Sequence, residues 1–575
     1  MNTMKQMQPY IQDVYPKKAQ FIRNESITIV IEIANPTAGS VKLRLDTSVS
    51  FLQHQLEVYA CDVVAKPSEV TNVELSITPK DAECNGYGVD VSLYEQGNLT
   101  DEQSTSFDVV SDWRKSIRYG FLSDFYTSEA GDTTDVAYIN KLHLNVVQFY
   151  DWMYKHDDLI PPQDEFRDLM GRDLSIGVVK EKIALCHQYG MKAMAYGAVY
   201  AANKGFYEKH PDWALYDSAG KVLTFIDIFY IMNTSPASPW HQHIIGEYVK
   251  AIEQLDFDGI HMDTYGFPKT AISRLNGIEK MERLQEHFPV LIDNTRKELE
   301  QSKDDICLIF NNVGNWPVDT VGLADQNAIY VEVWHPYERY HHLQGIISRA
   351  KLVSQGKPVI LAAYLKPFKE ATTETMAQAN LSALLLTAVI AASGGSHLLH
   401  GEKQGVLTQG YYVDHTTLED PAFIRQIRDY YDFIIRYTNV LHDDSMRDVS
   451  MTHTDGDNFE YVFEGIDRSS YGEAGKVWTI MKENAKYKTI HFINLTNNDD
   501  LWNEGKKRPL IQKDMKVSIV LDGKARSVFM ASPDSNLGRP QILEYAVHPG
   551  DKGNVLTVTI PQLQIWDVLV VEMEV

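Results

Sequence analysis

A chain of 575 residues has room for two to four domains of roughly 100–200 residues each, and its 44% hydrophobic content is enough for a large globular core. The formal net charge of −24, from 54 Lys+Arg against 78 Asp+Glu, repels polyanions and excludes nucleic acid and anionic membrane as natural partners. A neutral ligand is compatible with such a surface.

The first ~110 residues read as β-structure. Ser26-Ile-Thr-Ile-Val-Ile-Glu-Ile, Val41-Lys-Leu-Arg-Leu and Val73-Glu-Leu-Ser-Ile alternate and are rich in β-branched residues, with Gly and Asn-Pro turns between them. They predict an immunoglobulin-like β-sandwich over residues 1–112. Its two cysteines, Cys61 and Cys84, lie where a bridge could form, but two free buried thiols are the expected state. Neither they nor Cys186 and Cys307 make a CxxC pair, so no zinc site is expected. The start, Met1-Asn-Thr-Met-Lys-Gln-Met-Gln-Pro, has no apolar core of a signal peptide. As written the chain reads as cytoplasmic, with secretion after removal of a signal as the alternative.

From residue 113 to 445 short apolar strands alternate with helical stretches. The strands are Ile117–Phe121, Leu144–Tyr150, Met191–Tyr196, Gly259–Asp263, Ile306–Asn311, Ala328–Val333, Pro358–Tyr364 and a weaker one at Gly395–Leu399. Helices are expected at Val178–Tyr189, Trp240–Leu255, Met281–Ser302 and Thr375–Ala391. Eight such units predict a (β/α)8 TIM-type barrel. A doubly wound open sheet is the alternative, and the lack of a GxGxxG after any strand weighs against its nucleotide-binding form. The longest apolar run, Leu381–Ala392, is too short to span a bilayer. A long connection, residues 197–239, carries Tyr200, Phe206, Tyr207, Trp213, Tyr216 and Asn233 and should build an active-site rim. Residues 446–575 return to β, with Tyr461-Val-Phe, Val477-Trp-Thr-Ile, Thr489-Ile-His-Phe-Ile, Lys516-Val-Ser-Ile-Val-Leu and Val555-Leu-Thr-Val-Thr-Ile. They predict a C-terminal antiparallel β-sandwich.

Active sites of such barrels form at the C-terminal strand ends. Three strand candidates end on acids: Asp151, Asp263 and Glu332. Two carboxylates flanking a scissile bond are what glycoside hydrolysis needs, one ionised and one protonated. Glu332 sits in the apolar Tyr330-Val-Glu-Val-Trp334, which should raise its pKa; Asp263, between His261 and Tyr265, should keep its charge. Either acid alone could be a structural ion-pair partner, but three converging strand ends favour a site. The 31 Tyr and 9 Trp suit a sugar site and also ordinary β cores.

In five places the sequence resembles glycoside hydrolase family 66, which contains dextranases and cycloisomaltooligosaccharide glucanotransferases. They are Arg118-Tyr-Gly-Phe-Leu-Ser-Asp-Phe, Asn145-Val-Val-Gln-Phe-Tyr-Asp-Trp-Met, Met191-Lys-Ala-Met-Ala-Tyr, Phe257-Asp-Gly-Ile-His-Met-Asp-Thr-Tyr-Gly and Tyr330-Val-Glu-Val-Trp. The resemblance implies a retaining mechanism on an α-1,6-glucan through a covalent glycosyl-enzyme intermediate; no cofactor or metal is expected. It makes Asp263 the nucleophile, Glu332 the acid/base and Asp151 a third acid that holds sugar hydroxyls. Tyr196, Asn311, Asn312 and Tyr364 at strand ends, and Trp152, Tyr265 and Trp334 beside the acids, are the expected substrate contacts. His261, two residues before Asp263, either tunes the nucleophile or is a hydrogen-bonded core residue. His397, His400 and Glu402 only superficially suggest a metal cluster. The family's cyclising members carry a carbohydrate-binding module after the seventh strand. Here Lys366-Pro-Phe-Lys leads directly into the helix from Thr375, which favours a dextranase acting on dextran or isomaltooligosaccharides. A glucanotransferase, a non-catalytic glucan-binding protein and a barrel glycosidase for another α-glucan are the rival readings. Oligomeric state is not legible.

Overall fold

The computed structural model describes residues 8–78 and 85–574. Near the N-terminus, Tyr10–Pro16, Ile27–Asn35 and Glu69–Ile77 form one antiparallel sheet. Phe21–Ile22, Asn98–Val110, Asn85–Glu95, Val41–Phe51 and His54–Ala65 form a second. Alternation sends Ile29, Ile31 and Ile33 of the first and Leu43, Leu45, Val89, Val91 and Leu93 of the second into one shared core. Cys61 is exposed rather than buried, because its strand is the uncovered edge of the second sheet. Cys84, the other half of the expected pair, lies outside the described residues.

Eight parallel strands follow: β1 Tyr119–Leu122, β2 Val146–Phe149, β3 Lys192–Ala198, β4 Gly259–Asp263, β5 Cys307–Val313, β6 Ala328–Glu332, β7 Val359–Ala362 and β8 Ser396–Leu398. Each pairs with the next in chain order. A bridge between Phe121 and Gly401, and a hydrogen bond from Ser396 Oγ to the Ile117 carbonyl, draw the first and last strands together into a nearly closed barrel. One set of alternate residues, Tyr119, Phe121, Val146, Met194, Cys307, Ile309, Tyr330 and Ile360, fills the interior. The other set, including Val147, Phe149, Ala193, Ala195, Leu308 and Leu361, meets the helices. Both faces are therefore apolar, as in parallel sheets covered on both sides. Gly259 opens β4 because a Cβ there would lie 2.0 Å from the Cys307 carbonyl oxygen.

The covering helices are α1 Thr134–Lys141, α2 Ile176–Gln188, α3 Pro239–Leu255, α4 Leu284–Leu299, α5 Val318–Val321, α6 Tyr340–Ser354, α7 Met376–Ala392 and α8 Pro421–Arg436. Ser175, Ser238 and Asp420 cap α2, α3 and α8 through side-chain oxygens, with proline as first helical residue in the last two. Helix α4 starts three residues later than the sequence suggests, because Lys280–Arg283 pairs with Thr270–Ser273 as a hairpin. Helix α7 is apolar nearly all round and is buried between the barrel and the C-terminal sheet. No described helix is long and apolar enough to cross a membrane.

After the barrel, a seven-stranded sheet centred on Val477–Glu483, Tyr487–Asn494, Trp566–Met573 and Ala525–Ala531 faces two ways. Trp478, Ile480, Phe529, Trp566 and Val568 join the core of the barrel helices. Ile490, Phe492, Leu569 and Val571 instead meet the second, four-stranded sheet through Val517, Ile519, Leu556 and Val558. Helix α8 ties the N-terminal sheets to the barrel with buried ion pairs, Arg428 to Asp13 at 2.7 Å and Arg436 to Asp90 at 2.8 Å.

Candidate active site

At the C-terminal end of the barrel the inward residues of the strands surround a cavity of about 650 Å³. Gln148 comes from β2, Tyr196 from β3, His261 and Asp263 from β4, Asn311 from β5, and Tyr330 and Glu332 from β6. Residues two apart on a strand share a face, so each strand end supplies one or two groups to the same space. Asp151 lies just past β2 in a left-handed turn (φ 47°), and Tyr364 just past β7.

One amide holds the two central acids. Asn311 Nδ2 donates to Asp263 Oδ1 at 2.6 Å and to Glu332 Oε2 at 3.2 Å. The nearest oxygens of the two carboxyls are therefore no further apart than these two lengths laid end to end. Tyr196 donates to the other Asp263 oxygen at 2.6 Å, and Tyr364 to the other Glu332 oxygen at 2.9 Å. Burial pushes Asp263 up to about 7, helped by the charge of Glu332 and opposed by the bonds from Tyr196 and Asn311. Burial also raises Glu332, against hydrogen bonds from Asn311, Tyr364 and Trp334. The local sequence suggested a raised glutamate beside an ordinary aspartate. Instead both are raised, because the polar neighbour counted for Asp263, His261, is itself buried and held neutral, its pKa driven down to about 3.

His261 lies on the cavity floor between the rings of Tyr119 and Tyr196, its Nδ1 3.1 Å from the Tyr119 hydroxyl. Burial pushes Asp151 up to about 7 against the pull of the Arg172 guanidinium. Arg172 donates to the Asp151 carbonyl at 2.5 Å and binds Asp168 at 2.7 Å, which fixes the turn that carries Asp151. Behind Glu332 a chain of hydroxyls runs from Tyr364 to Tyr412 (3.3 Å) and on to Tyr330 (2.8 Å). Gly410 faces Glu332 so closely that a Cβ would sit 3.0 Å from its Oε1. Gln148 Oε1, His156 Nδ1, Asn311 Oδ1 and the Tyr265 hydroxyl border the cavity as buried polar atoms without a hydrogen-bond partner among the described residues. A ligand rich in hydroxyl groups would satisfy them.

Of the residues singled out from sequence, Asp151, Tyr196, His261, Asp263, Tyr265, Asn311, Glu332, Trp334 and Tyr364 all line this cavity. Trp152 does not: it is fully buried, donates to the Tyr196 carbonyl at 3.2 Å and packs on Phe257. The left-handed turn at Asp151 breaks the strand's alternation, so Tyr150 and Asp151 both face the mouth and Trp152 turns into the core. Asn312 likewise turns outward and binds the Tyr330 carbonyl at 2.9 Å. His397 and His400 contact the Ala363 and Gly405 carbonyls, while Glu402 accepts from Ser123 and Asp124. The three do not share a centre. The long 197–239 connection does reach the rim, but through Phe225, Ile226 and Phe229 rather than the residues named for it. Tyr411 and Tyr412 after β8 were missed as well. Only the paired aromatics of Gly410-Tyr-Tyr412, beyond a strand end, could have marked them.

Residues 16–570 match the family model described as glycosyl hydrolase family 66. A cycloisomaltooligosaccharide glucanotransferase of Niallia circulans is 25% identical, over 97% of this chain and 72% of its own. A dextranase of Streptococcus salivarius is also 25% identical, over 91% of this chain and 72% of its own. Among solved structures, a cycloisomaltooligosaccharide glucanotransferase of a Paenibacillus species, complexed with cycloisomaltoheptaose, superposes with a TM-score of 0.89 at 20% identity, covering 98% of this chain and 100% of that one. A maltogenic α-amylase of Thermotoga neapolitana gives 0.51 at 12% identity, over 80% of this chain and 99% of that one. Both of these show the fold.

Proposed function

The chain belongs to glycosyl hydrolase family 66, and from that premise we propose that it cleaves α-1,6-glucosidic bonds of dextran or isomaltooligosaccharides with retention of configuration. Asp263 is the nucleophile and Glu332 the acid/base. The observation that carries this reading is the single Asn311 amide reaching both carboxyls, at 2.6 and 3.2 Å. Retaining pairs stand about 5–5.5 Å apart, whereas inverting pairs leave roughly 6.5–9.5 Å for a water between them. A single donor reaching an oxygen of each carboxyl supports the shorter spacing.

The reaction needs one proton on the pair. Mutual repulsion opposes double ionisation, so one proton stays shared between the two acids until high pH. The two 2.6 Å bonds to Asp263 favour its charged form more than the longer 2.9 and 3.2 Å bonds favour that of Glu332. With the proton on Glu332, Asp263 attacks the anomeric carbon while Glu332 protonates the leaving glycosidic oxygen. This forms a glycosyl–Asp263 ester and consumes the aspartate's charge. Glu332, now a carboxylate, takes the proton of an incoming hydroxyl as that oxygen attacks the anomeric carbon and the bond from that carbon to Asp263 breaks, which returns Asp263 to a carboxylate and Glu332 to the acid. Asp151 holds hydroxyls of the ring at the cleavage point. We read residues 1–112 and 446–575 as β-sandwich domains that brace the catalytic barrel, 113–445.

Water as the incoming hydroxyl makes the enzyme a dextranase, the reading favoured by the direct passage from β7 through Lys366–Lys369 into α7. A sugar hydroxyl makes it a glucanotransferase, the reading favoured by the names of relatives that match 97% of the chain. Incubation of the purified protein with dextran, alongside Asp263→Asn and Glu332→Gln, tests both. Linear isomaltooligosaccharides from the parent alone support the hydrolase, and cyclic products support the transferase. An inert parent on dextran and on short isomaltooligosaccharides removes the substrate.

A further inference from the structure

The rim of the cavity carries a turn built against its own sequence. Thr224–Phe225 and Phe229–Ile231 form a small antiparallel hairpin, and the Ile228 N–H donates back to the Phe225 carbonyl at 3.2 Å. The two central residues of that turn, Ile226 and Asp227, have φ of 46° and 58°. Both are left-handed, the pattern of a type I′ turn, which strongly prefers Asn-Gly. A β-branched residue is the least suited to that backbone, because its Cβ substituents crowd the following carbonyl. Ile226 is also 52% exposed, so burial of its side chain in the core does not offset the strain. Yet it lines the cavity that holds Asp263 and Glu332.

The rest of the hairpin is firmly anchored. Phe225 stacks on Tyr265 with centroids 4.2 Å apart, and Phe229 meets His156 edge-on at 4.7 Å. The turn is therefore held over the site by its aromatic base while an aliphatic side chain projects from its tip. Strain kept at a cavity rim without a packing reward points to use. We propose that Ile226 is a substrate contact: a small apolar platform for the C–H face of a sugar ring beyond the one that meets Asp263, which makes the enzyme favour longer glucans. This rests on the neutral-glucan reading of the site given above.

The test uses two variants of the full chain. Ile226→Gly tolerates positive φ and removes the side chain, and Ile226→Asn tolerates positive φ but replaces the apolar surface with an amide. Neither should melt below the parent, and relief of the turn's strain in a chain of this size should raise melting by about one degree. Both should raise KM for long dextran about five- to tenfold, with kcat within about twofold, while the shortest cleaved isomaltooligosaccharide is affected little. Gly and Asn both accept the turn's backbone, so the loop keeps its shape in either variant and the loss reports the missing apolar side chain. Unchanged KM on long substrate overturns the proposal, and so does an equal loss on long and short substrates, which would place Ile226 at the reacting ring. If the parent cleaves no α-1,6-glucan, the functional reading falls separately. Calorimetric titration of parent and variants with dextran, pullulan and soluble starch then decides this one. Several-fold weaker binding in both variants of whichever glucan the parent binds supports the platform; equal affinity, or binding of none by the parent, overturns it.

Discussion

Replacing Glu332 by glutamine should turn two carboxyl titrations, held about two pH units apart by mutual repulsion, into one. The nearest oxygens of the two carboxyls are bounded by the 2.6 and 3.2 Å bonds to Asn311. At a separation of about 5.5 Å and an effective dielectric constant of about 20, two unit charges repel by roughly 3 kcal/mol. At about 1.4 kcal/mol per pH unit this is about two units. The second proton of the parent pair should therefore leave about two units above the first, and Glu332→Gln, which cannot take a second charge, should keep only the lower step, still held above the ordinary aspartate range by burial. Infrared difference spectroscopy of the carboxylic C=O stretch suits the question. Near pH 6 exposed carboxylates are already ionised, so the signal comes from the few raised acids, and subtracting variant from parent isolates this pair. Two parent steps at one pH, neither displaced from the single step of Glu332→Gln, would show that the two acids are not electrostatically coupled, and would undercut the shared proton on which the proposed mechanism depends.

Two further outcomes follow from the same site. Asp263→Asn should stabilise the fold, and more so at pH 8 than at pH 4. A carboxyl raised from 3.8 unfolded to about 7 folded binds its proton more tightly in the native state, so stability is lost as pH rises through that window, by up to roughly 4 kcal/mol. Thermal melts at both pH values check the sign, and equal melting shifts at the two would contradict it. Trp152→Phe should leave KM within about twofold, because its ring lies in the core with one hydrogen bond to the Tyr196 carbonyl, whereas Trp334→Ala should raise KM about tenfold, because its half-exposed ring lines the cavity beside Tyr364. Steady-state kinetics on dextran separate the two, and equal effects would mean that the orientation assigned to these tryptophans is wrong.

The barrel was legible in the sequence because a parallel strand covered on both faces must be apolar throughout, and such runs, spaced by helical stretches, have few other solutions. The acids were legible because a charged residue closing an apolar run stands out. Asp263 ends β4 and Glu332 ends β6, as their sequence context suggested. Chain order could not supply proximity or protonation. That Asn311 bridges both acids depends on β5 lying between β4 and β6 in the barrel sheet. That Asp263 is raised rather than ordinary depends on the depth of the cavity and on a charge 69 positions away in sequence, an effect that no neighbouring residue encodes. The opposite directions of Asp151 and Trp152, and the return of Gly410, Tyr411 and Tyr412 from beyond β8 to the mouth of β6, were likewise set by the three-dimensional fold. Sequence determined which segments are apolar and where acids end them; tertiary structure decided which groups meet, because electrostatics and packing act through space and fall off over a few ångströms.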